Sequence, residues 1–308
     1  MSKGDFWGKV NNYYGYFAIA TLLVGEFFLF MGNSLVKRWF YLIAWWSYIF
    51  IADFIVYKIR GKSLWVGRRR EFLFMIPWST FFWLVFECFN FSLKNWHYIN
   101  VTGNTFSRYP GYFFSYGTVL PGICVTYNLL DAFGIFKGSV RPLARPERYF
   151  LPFILIGIAF FVLPIFLPLY FFPLVWGTFI FLLEPINYLM GADSLLKEWE
   201  GGSLRRFYLL LLSGLVCGFL WEFWNFWAST KWIYTVPFVG KYKVFEMPIL
   251  GYLGFPPFAV ECYVMYSFVK KIFYRKKALE VLSFALHIPF YLLIFRMIDR
   301  FTVVCFIH

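Results

Sequence analysis

Apolar runs of about twenty residues recur along the whole chain, and this feature constrains the fold more than any other. An α-helix of about that length crosses the hydrocarbon core of a bilayer, where every backbone N–H and C=O has to be satisfied within the helix itself. Bounded by charges, glycines and prolines, the runs lie at about 13–32, 39–57, 72–92, 111–130, 149–166, 171–190, 207–228 and 248–269. A ninth, at about 279–298, carries His287 mid-run, Arg296 near its end and Asp299 just past it, so it reads as a span or as an interfacial helix. Hydrophobic residues make up 61% of the chain and charged residues 15%, which excludes a soluble domain. The fold class is therefore all-α, a polytopic helical membrane protein of eight or nine transmembrane helices.

The formal net charge of +13 would point to nucleic acid in a soluble domain, but here 20 of the 29 Lys and Arg fall on one side of the alternating spans. They sit at Lys3 and Lys9 and in the segments 58–70, 137–148, 197–206 and 270–277, where topology and anionic lipid account for them. This places the N-terminus in the cytoplasm of a cell whose inner membrane holds the protein, with segments 93–110 and 229–247 outside. No nucleic-acid partner is expected. The first residues lack an apolar core followed by a small-residue cleavage site, so no removable signal peptide is read. The five cysteines are scattered and imply neither a disulfide framework nor a thiolate metal site.

The chain repeats itself. Glu87-Cys-Phe-Asn90, Trp96-x-Tyr98, Tyr116 and Pro121 recur in order as Glu222-Phe-Trp-Asn225, Trp232-x-Tyr234, Tyr252 and Pro257. Upstream, Asp53, Tyr57 and Ser63-Leu64 match Glu184, Tyr188 and Ser194-Leu195. Acidic residues and Asn are scarce inside spans, so their paired recurrence outweighs the many aromatic matches. The organisation read from this is a four-helix repeat over 1–145, a second over 146–278 and an additional helix over 279–308. Four spans per copy insert both the same way up, related by an axis along the membrane normal.

Carboxyls inside a bilayer cost about 2.5–3.5 kcal/mol on insertion scales and usually face a protein interior. Glu87, Glu222 and Glu261 are the candidate catalytic residues, because a desolvated carboxyl is a natural proton donor. In each Glu-x-x-Asn the amide of Asn90 or Asn225 falls on the same helix face as the acid, where it can orient it or share its proton. The competing reading makes these residues interhelical hydrogen-bond glue. Trp96, Tyr98, Trp232 and Tyr234 belong to an interfacial aromatic belt or to a lid over a cavity, and with Tyr252 and the two Asn they are the candidate substrate-binding residues. The stretch with Gly251, Gly254 and Pro256-Pro257 is expected to break its helix near mid-span, with Glu261 beside the break. On this reading Glu222, Asn225 and Glu261 converge on one site. No second His or Cys stands one turn from His287, so neither a metal site nor a cofactor is expected.

Trp232-Ile-Tyr234 followed by Pro256-Pro257-Phe-Ala-Val-Glu261, with a similar arrangement in the first half, resembles the small integral-membrane lycopene cyclase domains of carotenoid synthesis. Those domains are duplicated, rich in aromatics and carry membrane-embedded carboxylates next to prolines. The resemblance implies an acid, Glu261 or Glu222, that protonates a polyene. Acid-initiated chemistry on a lipophilic isoprenoid or other lipid is thus the leading expectation, with membrane lipid and a lipophilic small molecule as partners. A transporter or channel with these acids on its pathway, and a structural or scaffolding membrane protein, are the alternatives.

Overall fold

The apolar runs form helices whose ends fall at the charges and turn residues bounding them; the computed structural model describes residues 3–274 and 276–306. Arg275 and His308 lie outside the described residues. In chain order the elements are α1 (Lys3–Phe30), α2 (Ser34–Arg60), α3 (Arg69–Leu93), β1 (Trp96–Ile99), α4 (Thr105–Tyr116) and α5 (Val119–Ala132). There follow α6 (Phe150–Phe166), α7 (Pro168–Phe171), α8 (Thr178–Leu189), α9 (Leu195–Glu200), α10 (Arg205–Trp227), β2 (Lys231–Tyr234), the two-residue strands β3 (Lys243–Val244) and β4 (Met247–Pro248), α11 (Phe255–Val269) and α12 (Lys277–Phe301). Local chemistry fixes the ends: Asn33 caps α2 by accepting the Val36 N–H at 3.0 Å, and α2 and α3 close on left-handed Gly61 and Lys94.

Among the described residues, eight stretches are long and apolar enough to cross a membrane, by length and composition. They are most of α1, then α2, α3, α4 with α5, α6 with its lead-in, α7 with α8, α10 and α12. The run at 279–298 is thereby a continuous helix of 25 residues. At its start Glu280 meets Arg70 at 2.6 Å, and near its end Asp299 meets Arg108 at 2.8 Å. Just beyond it, the Thr302 carbonyl accepts the Tyr98 N–H at 2.7 Å. α12 therefore runs beside α3 from the end of the bundle rich in Lys and Arg to the end that carries β1 and β2, and does not lie across either.

Two runs differ from expectation. The one at 111–130 is two helices, α4 and α5, that meet at Gly117-Thr118. The one at 248–269 opens with a 3-10 turn, Ile249–Gly254, before the 15 residues of α11. The expected mid-helix break at Pro256-Pro257 is absent, because these prolines occupy the first turn of α11, where the missing N–H has no helical partner to lose. Glu261 accordingly lies within unbroken helix.

Large aromatics fill the interior. Trp45 of α2, fully buried, meets Trp221 and Trp224 of α10 at ring-centroid distances of 5.4 and 5.1 Å, which joins the two halves. On α10, Gly214 and Gly218 let α11 approach to backbone contact: a Cβ on Gly214 would lie 2.3 Å from the Phe255 carbonyl oxygen, and one on Gly218 2.2 Å from the Phe255 ring. Gly214→Ala is expected to cost about 1–3 kcal/mol, since backbone cannot move aside as a side chain can. Gly103→Ala, with nothing within 4 Å of the added carbon, should stay within about 0.5 kcal/mol. Thermal unfolding in detergent compares the two, and equal midpoints would contradict the packing described.

Candidate functional site

The site is built from the two segments that leave α3 and α10. Asn90 and Asn225 shape them: each side chain donates Nδ2–H to a tryptophan carbonyl, Trp96 or Trp232, at 2.9 Å. Each Oδ1 accepts that tryptophan's own N–H, at 3.3 Å and 3.0 Å. The amides are thus spent on backbone that would otherwise be unpaired. They act as clamps on the strands.

Clamped in this way, β1 and β2 pair antiparallel in the register Trp96↔Tyr234, His97↔Ile233 and Tyr98↔Trp232. Exchanging the two segments leaves this register unchanged, with His97 and Ile233 at its centre. Alternation along a strand puts Trp96 and Tyr98, and likewise Trp232 and Tyr234, on the face turned into the bundle. Trp96 and Tyr98 are buried, so they are not members of a surface belt.

Their polar tips meet the acids. Glu87 and Glu222 are fully buried. Glu87 Oε1 accepts the Tyr98 hydroxyl, the Trp96 Nε1–H at 3.0 Å and the Trp83 Nε1–H at 2.9 Å. Glu222 Oε1 accepts the Tyr234 hydroxyl at 2.9 Å. The halves differ for a reason readable in the sequence: Trp83 stands one turn before Glu87, whereas the matching position before Glu222 is Gly218, occupied by the approach of Phe255. Burial first, and then the neighbouring carboxyl, hold both tyrosine hydroxyls well above the usual phenol range, so they keep their protons.

A cavity of about 130 Å³ lies between the halves against these strands. Trp83, Trp96, Tyr98, Trp232 and Tyr234 line it, with Trp176, Trp221 and Phe258 around them. Both interrupted runs contribute: Tyr116 and Val119 flank the α4–α5 junction, and Gly254 and Phe255 flank the start of α11. Arg38, Arg108 and Lys231 are the charged residues of its wall. None of Glu87, Glu222, Asn90 or Asn225 reaches the cavity directly; the strand aromatics stand between.

Two expected members are elsewhere. Glu261 Oε1 accepts the Phe179 N–H of α8 at 2.6 Å. With Gly218 against Phe255 and Gly214 against Ala259, α10 and α11 run antiparallel, which places Glu261 about three turns, roughly 15 Å, along α10 from Glu222. The expected convergence of Glu222, Asn225 and Glu261 is therefore corrected. Tyr252 gives its hydroxyl to the Val244 carbonyl at 3.1 Å and does not line the cavity, unlike its counterpart Tyr116. His287 stacks on Phe81 with centroids 4.9 Å apart and shares a hydrogen bond with Tyr291 at 3.2 Å. Of the lining, sequence reasoning passed over Trp83, Trp176, Trp221 and Arg38; only Trp83 carried a local signal, its one-turn spacing from Glu87.

No family model matches the chain, nor does any curated protein or solved structure. Replacing Glu87 by Leu strands three donors, at a cost of about 3 kcal/mol or more, and replacing Glu222 by Leu strands one, at about 1–3 kcal/mol. Glu87→Gln and Glu222→Gln keep the accepting oxygen and should unfold close to the unaltered protein. Equal destabilisation by the two Leu substitutions would contradict the asymmetry between the carboxyls.

Proposed function

We propose that this protein is an integral membrane enzyme that performs acid-initiated isomerisation or cyclisation on an isoprenoid-type lipid held in the aromatic cavity. One observation carries the reading: Tyr98 and Tyr234 line one cavity, and each is backed by a buried glutamate. The proton reaches the substrate from a tyrosine hydroxyl, with the carboxyl behind it. Glu222, with a single donor on Oε1, is the acid: it passes a proton to Tyr234 Oη as that hydroxyl protonates a substrate double bond. The carbocation formed is stabilised by the faces of Trp83, Trp176, Trp221 and Trp232. It loses a proton to Tyr98, whose own proton passes to Glu87, the carboxyl best furnished with donors for holding negative charge. One proton is added and one lost, so no oxidant is consumed, and exchange with water at the rim restores both carboxyls. The wall holds no Asp or Glu, which supports this reading over a carboxylate-lined transport route.

The proposal includes a duplicated four-helix unit. It is supported by the exchangeable strand register, the two Asn clamps and a matched pair at the opposite end. There Asp53 accepts Ser63 Oγ–H at 2.6 Å and the Trp65 N–H at 3.1 Å, while Glu184 accepts Ser194 Oγ–H at 2.6 Å and the Leu196 N–H at 2.9 Å. It also includes a cytoplasmic N-terminus, supported by the bias of basic residues. Single cysteines placed in a cysteine-free background test this: position 102 should react with an impermeant reagent in intact cells and position 62 should not. The reverse pattern would invert the topology.

Incubation of the purified protein with acyclic isoprenoids in D2O tests the chemistry. The product is expected to carry one deuterium, and Tyr234→Phe and Glu222→Gln should lower incorporation by about 10²–10⁴-fold without loss of fold. Undiminished incorporation in both variants would remove the proposed relay.

A further inference from the structure

The cavity wall carries more than aromatic rings, and its charged groups are all of one sign. Its charged members are Arg38, Arg108 and Lys231, and no carboxylate lies among them. Two of the three cations are already engaged. Arg108 is held by Asp299 at 2.8 Å and by the carbonyls of Thr102 and Gly103, and Lys231 by Glu246 at 2.5 Å. Arg38, exposed in the second turn of α2, makes no side-chain hydrogen bond or ion pair among the described residues. Deeper in, Trp221 is 5% exposed and its ring meets those of Trp45, Phe255 and Phe258, so the inner part of the wall suits an apolar chain.

Size narrows the occupant further. A cavity of about 130 Å³ is close to the roughly 150 Å³ of an engineered protein cavity that takes up benzene. It therefore admits one ring or a short branched chain, and a longer molecule enters by one end only.

We infer that the substrate class is an anionic amphiphile: a short unsaturated isoprenoid chain in the aromatic cavity, carrying a phosphate or carboxylate head that Arg38 binds at the rim. This rests on the reading of the cavity as a lipid site and adds the head group to it. An arginine fork matches the oxygens of either head in a bidentate way, and the fixed pairs Arg108–Asp299 and Lys231–Glu246 hold the rim in shape while Arg38 remains available. The anion also anchors the chain, so that the same double bond meets Tyr234 in each turnover.

Quenching of tryptophan fluorescence in the full-length, detergent-purified protein tests this with three probes that share one chain: geranyl phosphate, geranic acid and geraniol. At least one anion is expected to bind roughly tenfold or more tightly than geraniol, and the tighter of the two identifies the head. Arg38→Gln should abolish that advantage and leave geraniol binding unchanged, which also shows that the variant is folded. Equal binding of all three probes, or an advantage that survives Arg38→Gln, overturns the head-group inference and leaves the cavity reading standing. Failure of all three to bind contradicts both.

Discussion

A carboxyl group enclosed in an apolar helix bundle has to be met by hydrogen-bond donors, and the middle of a helix cannot supply them from its own backbone, which is already paired; only first-turn N–H groups are free to do so, as where Phe179 of α8 meets Glu261. For Glu87 and Glu222 most of the donors come from beyond the helix ends, and Trp83 of α3 adds one to Glu87. Each of α3 and α10 ends in a segment that folds back, and its aromatic side chains deliver hydroxyl and indole N–H groups to the acid about one and a half turns inside the helix end. The strand pair and the asparagine clamps hold those donors in place, and the cavity lies against the strand pair.

Near-symmetry at the strands and asymmetry at the acids arise from single residues. Trp83 and Gly218 occupy matching positions, so one half gains an indole donor and the other gains close helix packing. Glu261 faces Phe179, while its counterpart Val125 is an ordinary core residue. The two carboxyls thus stand in unlike surroundings, each behind a tyrosine that lines the cavity. The proposed acid-base chemistry needs that difference, since one group gives up a proton where the other takes one.

Much of this was legible in the sequence, and what was not has a physical reason. Most helix positions can be read because the apolar runs are long and bounded by charges, and Glu87, Glu222 and the strand aromatics stand out through their paired recurrence. The clamping role of Asn90 and Asn225 is not legible, because a shared helix face is a local criterion and their partners lie on a strand that hydropathy does not reveal. Pro256-Pro257 reads as a break because proline at the start of a helix and in its middle look alike without the preceding 3-10 turn. The level of Glu261 is hidden because the register of α10 against α11 is set by Gly214 and Gly218. Trp176 and Arg38 reach the cavity only through tertiary packing, which leaves no local periodicity.

If the space between the halves binds an isoprenoid lipid, as proposed, and is not merely a packing gap, its wall meets that lipid in the cell membrane. A photo-crosslinking amino acid in place of Trp221, compared with one at Leu155 on the outward face of α6, measures this most directly in cell membranes. The account expects irradiation at position 221 to capture an isoprenoid species, identified by mass spectrometry, and irradiation at position 155 to capture bulk phospholipid. Capture of the same phospholipid mixture at both positions, or of no lipid at position 221, would contradict it.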